Sequence, residues 1–397
     1  AMAYAELASL RPRAGGEYVY LREAFGPLAG FLTGWTSFVA GFSGAIAASA
    51  VGLATYVARF LPAAGDTTPL ATIPLGLLTL SVSPQSIVAL TAIAALTAVH
   101  VVGIGPGRVV QNALAGLKVL VVVVLVALGF SFGQGATANF WQSAGPVSLS
   151  AWMLALIPVM FSYSGWNAAT YVAEEMRDPS RNVPIALGIG SVLVVAIYLF
   201  LNLLYLYALP VSTLATIEVR VVDAAVNQLF GSAVAVPLAA ASAVMIAASV
   251  SAMVLAGPRV YYAMAQDGQF FSAMARVHPR YRTPTTAIIA QSLWSGVLVL
   301  TGTFNQLVEY TGFAVVLFAG IAVTVVFVLR RREPDAPRPY KAWGYPIAPL
   351  VFVTASLMMV VNAIWRSPGT SLAGLAIIAA GVPIYWLMWR PSMVQDS

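Results

Sequence analysis

The sequence predicts an all-α, polytopic membrane protein, and three observations carry that prediction. Apolar residues make up 60% of the 397-residue chain and charged residues only 9%, against about 25% charged in an ordinary soluble domain. Mean hydropathy is +0.85. The charges are also segregated: stretches without Asp, Glu, Lys or Arg run 24–58, 67–107, 119–173, 183–217, 224–258, 283–308, 310–329, 342–365 and 367–389. A folded chain with so little charge has no surface to hold it in water. A soluble enzyme, a disordered chain and a nucleic-acid-binding domain are therefore excluded.

Crossing the hydrocarbon takes about 20 helical residues. That length divides the apolar stretches into ten complete helices, approximately 28–60, 86–104, 113–132, 151–174, 185–208, 232–257, 285–303, 308–329, 346–364 and 371–389. Residues 1–10 read as the tail of an eleventh. The longest stretch is split by the Gly/Ser/Thr/Asn-rich segment Gly133 to Ser150, and the part from Pro69 to Pro84 reads as loop. In the first complete span, Gly30 and Gly34 form a small-xxx-small pattern that suits close helix packing. Gly103-Ile-Gly105-Pro-Gly107 follows a membrane helix and lacks a βαβ setting, so it reads as a turn rather than a nucleotide fingerprint. The segments 258–284 and 330–345 have room for short interfacial helices and for no separate catalytic domain.

Basic residues set the orientation, because cytoplasmic loops carry the excess of Lys and Arg. By alternate loops, one side holds sixteen: Arg11, Arg13, Arg22, Arg108, Arg177, Arg181, Arg259, Arg276, Arg280, Arg282, Arg330, Arg331, Arg332, Arg338, Lys341 and Arg390. The other side holds three, Arg59, Arg220 and Arg366, while Lys118 falls within a helix. The rich side is expected to be cytoplasmic, with both ends of the chain inside the cell. This distribution accounts for the net charge of +6 without a nucleic-acid partner.

Cysteine is absent and only two histidines occur, His100 and His278. No thiolate nucleophile, Cys-metal site or His-rich metal centre is expected. No Ser/His/Asp arrangement, metalloprotease motif or phosphate loop is visible, so neither an enzyme nor a cofactor is expected.

The most informative segment is Pro158-Val-Met-Phe161-Ser162-Tyr163-Ser164-Gly165-Trp166-Asn167, in the middle of a span. Pro158 cannot donate to the carbonyl four residues back, Gly165 is flexible, and Ser162, Ser164 and Asn167 add polar groups. Transporters use helix breaks of this kind to bind ligands at the midplane; a simple proline kink, with Tyr163 and Trp166 filling a core, would leave the same trace. Lys118 is the second feature. A lysine inside the membrane is costly and points to ion coupling or pairing, although a position about five residues into its helix also permits snorkelling to the interface. Ser249 and Ser251, in the Ala/Ser-rich span 232–257, suit either close packing or the supply of oxygens to an ion or to Lys118. His100 reads as a packed or interfacial residue, and Glu309 as an interfacial one, with a cation site as its alternative.

The chain is also similar to a known family. Tyr4-Ala-Glu6-Leu, followed by Pro12-Arg13-Ala-Gly15-Gly16-Glu17-Tyr18, resembles the end of the second helix in amino acid permeases of the amino acid–polyamine–organocation superfamily. Phe161-Ser-Tyr-Ser-Gly-Trp166-Asn167 with Glu174-Glu175-Met…Pro179-Ser-Arg181-Asn182-Val-Pro184 resembles its L-type amino acid transporter branch, as does Arg338-Pro-Tyr-Lys341-Ala-Trp343-Gly344-Tyr-Pro346. The resemblance covers essentially the whole chain. It implies the leucine-transporter type of fold, with two inverted five-helix repeats and two extra helices. Residues 1–10 would end helix 2, 28–132 would hold helices 3–5, 151–329 helices 6–10 and 346–389 helices 11–12. The first helix and most of the second would lie outside this sequence.

The same resemblance implies roles. Carbonyls around Phe161, Ser162 and Ser164 would receive a substrate α-amino group, the Phe161 ring would act as a thin gate, and Gly165, Trp166 and Asn167 would complete the pocket. Lys118 would take the place of a sodium ion, with Ser249 or Ser251 as its partner. The expected function is secondary active transport of amino acids across the cytoplasmic membrane by alternating access, coupled to protons or run as exchange. Two rivals are a polyamine or organic-cation carrier, disfavoured by the lack of nearby acidic residues in sequence, and a non-transporting membrane subunit.

Overall fold

The computed structural model describes residues 1–388 apart from 77, 144, 218–220, 302 and 303. Arg220 and Arg390 lie outside the described residues, as does the side chain of Glu309. The chain opens with α1 (Met2–Leu10) and α2 (Glu17–Phe25). Then α3 (Pro27–Thr36) runs through a π-turn at Ser37–Gly41 into α4 (Phe42–Val57). A hairpin of β1 (Ala71–Leu75) and β2 (Leu78–Val82) leads to α5 (Pro84–Val102) and α6 (Ile104–Phe132). Next come α7 (Leu149–Ser162), α8 (Ala168–Tyr171), α9 (Pro179–Ala208), α10 (Val211–Leu214) and α11 (Val221–Phe230). The chain closes with α12 (Ala235–Gln266), α13 (Thr285–Thr301), α14 (Phe304–Arg332), α15 (Ile347–Arg366) and α16 (Pro368–Met388).

Eight helical segments of the described chain are long and apolar enough to cross a membrane. With α7 and α13, of 14 and 17 residues, they account for all ten predicted spans. The loop expected from Pro69 to Pro84 is instead largely a hairpin. Ala71 pairs with Val82 and Leu75 with Leu78, and the turn takes Gly76 at φ +73°, a backbone state that only glycine adopts without penalty. Gly103 alone makes the corner between α5 and α6, so the expected turn at 103–107 shrinks to one residue and helix covers the rest.

Packing runs in two registers. Inside the bundle, α12 lies most extensively against α4, and α1 against α9. The core joins Tyr4, Tyr18, Phe31, Tyr171, Tyr261, Met264 and Phe318. A second cluster, with Ile46, Ala50, Ile93, Val254 and Ile288, ties α4, α5, α12 and α13 together. Outside, α6 and α9 present Leu120, Val123, Ile189, Val192 and Leu199 to the surroundings. Lipid tails are as apolar as leucine, so such faces carry no cost in a bilayer. Gly34 does serve close packing, as expected: a Cβ there would collide with Met264.

The π-turn was not foreseen. Such a turn frees carbonyls that the helix no longer bonds, and in a membrane these must be satisfied internally. Here Tyr261 Oη donates to Ser37 O at 3.1 Å, Trp294 Nε1 to Val39 O at 2.9 Å and Thr311 Oγ1 to Ala40 O at 3.0 Å. Three other helices therefore pin this one distortion.

Candidate functional site

The break predicted around Gly165 is present. Ser148 caps α7 by accepting from the Ala151 amide at 3.2 Å, and the helix continues past Pro158 to Ser162. There the ladder changes: the Ser164 amide bonds Phe161 O at 2.9 Å and so turns away from the Met160 carbonyl. Gly165 has φ +90°, and helical geometry resumes at Ala168. A Cβ on Gly165 would meet nothing within 4 Å. Glycine is needed here for its backbone freedom, since left-handed conformations cost other residues about 1–2 kcal/mol, and crowding plays no part.

The six residues expected to form the site divide into two halves. Ser162, Ser164 and Gly165 are exposed and Phe161 is half-buried. Ser162 Oγ donates to Pro158 O at 2.9 Å, while Tyr198 Oη from α9 donates to Ser162 O at 2.7 Å. Ser162 O holds one partner, and a carbonyl oxygen has two lone pairs, so it keeps one acceptor position. The Tyr198 ring also meets Tyr163 edge to face, with centroids 4.6 Å apart. Trp166, by contrast, packs edge to face on Tyr4 at 4.6 Å.

Asn167 is buried and turned into the protein rather than toward the exposed half. Its Nδ2 donates to Glu17 Oε1 at 2.7 Å and to Tyr171 Oη at 3.0 Å. Tyr4 Oη donates to the same carboxylate oxygen at 2.5 Å. The physical reason is the buried carboxylate, which requires donors. Burial pushes the Glu17 carboxyl up, against hydrogen bonds from Tyr4, Tyr171 and Asn167 that pull it down. The sequence-based argument that no acidic residue lies near the break is thus corrected. Glu17 reaches it from 150 positions away in the chain, although its charge is spent on the closed half.

Lys118 Nζ donates to Ser249 Oγ at 2.9 Å, one of the two partners expected. Helix α6 starts at Ile104 rather than near 113, so Lys118 sits at the middle of a 29-residue helix. Either end is about 21 Å away at 1.5 Å per residue, beyond the reach of a snorkelling lysine. Ser251 is not a lysine partner: its hydroxyl lies 2.8 Å from His100 Nε2, in a buried contact. The two serines stand two residues apart on α12, on different faces, and engage α6 and α5 separately. Among the described residues, no group of three or more His, Cys, Asp or Glu is arranged to hold a metal ion.

Among the described residues, six of the arginines assigned to the rich side find carboxylates. Arg330 bonds Glu6 at 2.6 Å, and Arg338 approaches the same buried carboxylate at 3.4 Å. The Ala342 amide adds 2.7 Å to it, and the Arg330 guanidinium lies 3.7 Å over the Tyr345 ring. Asp267 gathers Arg13, Arg22 and the Tyr18 hydroxyl. Arg11 bridges Glu23 and Glu333, and the buried Arg259 bonds Glu175. On the sparse side, Arg59 pairs with Asp223 and Arg366 bonds Ser150. None of these partners was foreseen, nor were Tyr198 and Glu17. Their signal in the sequence was faint, because partners far apart in the chain leave no local pattern.

Fold and site together define a polytopic α-helical membrane protein of transporter architecture. The chain belongs to the amino acid permease family, whose model matches residues 1–389. It is 29% identical over 392 residues to the b(0,+)-type amino acid transporter 1 of Mus musculus, covering 98% of this chain and 77% of that one. It is 28% identical over 398 residues to the large neutral amino acids transporter small subunit 2 of Homo sapiens, covering 98% and 70%. With the b(0,+)-type amino acid transporter 1 of Oryctolagus cuniculus it shares 30% identity over 347 residues, 86% and 68% of the two chains. These relatives bear out the L-type branch suggested by the motifs.

Proposed function

We propose that this protein carries amino acids across the cytoplasmic membrane by alternating access, taking the substrate at the break between α7 and α8. The observation that carries the reading is the exposure of Ser162, Ser164 and Gly165, with helix ending on one side and resuming on the other. Carbonyls around Phe161, Ser162 and Ser164 would receive the substrate ammonium group, and the Phe161 ring would act as the gate over it. Substrate binding selects the closed state of the bundle, which then opens to the other side. No bond is made or broken.

Lys118 on Ser249 supports a fixed or protonatable positive charge between two spans. That favours proton coupling or exchange over sodium coupling. The grouping of basic residues supports both ends of the given chain facing the cytoplasm. Uptake into proteoliposomes tests the reading: labelled neutral amino acids should enter and putrescine should not compete. Lumenal amino acid or an imposed pH gradient should raise the rate. Competition by putrescine with none by neutral amino acids would instead favour the cation-carrier reading, to which the Glu17 carboxylate behind Asn167 lends its one support.

A further inference from the structure

We propose that the cavity between the start of α9 and the 339–340 segment binds the headgroup of an anionic phospholipid. The cavity measures about 310 Å³ and is lined by Ser180, Arg181, Pro184, Ile185, Pro339 and Tyr340. Its walls divide by chemistry. Arg181 and Ser180 offer donors, and Pro184, Ile185 and Pro339 supply apolar lining.

Six of the arginines assigned to this side pair with carboxylates: Arg11, Arg13, Arg22, Arg259, Arg330 and Arg338. Arg181 pairs with none among the described residues, and the same is true of neighbouring Arg177 and Lys341. Asp178 is the nearest acidic residue in sequence, so the rim keeps a positive excess. Below the cavity an apolar stripe continues along α9. Ile185, Ile189 and Val192 follow Arg181 at helical spacing on one face, and their exposures are 46%, 66% and 72%. A phosphate at Arg181 with an acyl chain along this stripe satisfies both parts at once. A free phosphate uses only the first, and a basic pocket at the end of a helix bundle suits an anionic headgroup.

The test is native mass spectrometry of the full chain released from mixed micelles of phosphatidylcholine and phosphatidylglycerol. Wild type should retain phosphatidylglycerol over phosphatidylcholine, Arg181→Gln should lose about fivefold of that preference, and Arg181→Lys should keep it. Arg331→Gln, a charge change elsewhere at the same end, should leave it intact. Equal retention by wild type and Arg181→Gln would overturn the proposal. So would displacement of the bound species by millimolar inorganic phosphate, which would make the occupant a free anion.

Discussion

Lys118 and Ser249 face each other across two membrane-spanning helices, the ammonium donating to the hydroxyl at 2.9 Å. The contact sits at mid-helix, and a charged side chain at such a position is costly without an oxygen to bond. It joins α6 to α12, the helix that packs most extensively on α4, so a change in charge at Lys118 acts on the centre of the bundle.

Replacing Lys118 with Ala should lower uptake at least about tenfold, the scale of one lost hydrogen bond to a charged group. Ser249→Ala, which keeps the charge, should fall less. Initial uptake rates across pH check this, and the Ala variant should also lose its response to an imposed pH gradient.

Gly165→Ala should cost about 1–2 kcal/mol through backbone strain alone, because the space around a Cβ there is open. Gly188→Ala in α9, also open and at ordinary helical φ, should be neutral or stabilising. Thermal unfolding in detergent separates the two, and substrate affinity should fall only for Gly165→Ala.

Glu17→Ala strips an acceptor from Tyr4 and Asn167 and should destabilise by about 1–3 kcal/mol for each buried donor left unpaired. Glu17→Gln keeps an acceptor and should cost less. The folded carboxyl is raised above its unfolded value of 4.5, so the folded state holds the proton more tightly. Its contribution is complete at pH below 4.5 and is lost as pH rises through the folded value. Glu17→Gln should remove that dependence from unfolding curves taken between mildly acidic and neutral pH.

Tyr261→Phe, Trp294→Phe and Thr311→Val each remove one donor from the π-turn. Each should cost about 0.5–1.5 kcal/mol. Because the three act on one distortion, the triple variant should depart from additivity, read as the melting temperature in detergent.

The spans were legible because hydropathy and charge-free length report the bilayer directly. Pro158 and Gly165 made the break legible, since each acts on its own backbone. The partners of Asn167 and Ser251 were hidden: Glu17 and His100 reach them through the fold, from 150 and 151 positions away. The hairpin at 71–82 was masked by Pro69, Pro74 and Pro84, which read as loop although Pro74 sits in β1. The start of α6 was placed late because Arg108 breaks the apolar run, while helix formation tolerates an arginine near a membrane end. The π-turn left no sequence signal beyond small residues, which equally mean packing.

The central claim is that the chain around Ser164 faces an amino acid rather than lipid. The native sequence has no cysteine, so Ser164→Cys places one unique thiol at the break. Its rate of labelling by a water-soluble maleimide in proteoliposomes, with and without a saturating neutral amino acid, is the most direct measurement. The account predicts labelling that the amino acid suppresses, while Val192→Cys on the outer face of α9 stays unlabelled. A thiol at 164 that never labels, or labels at one rate whatever amino acid is present, would contradict it.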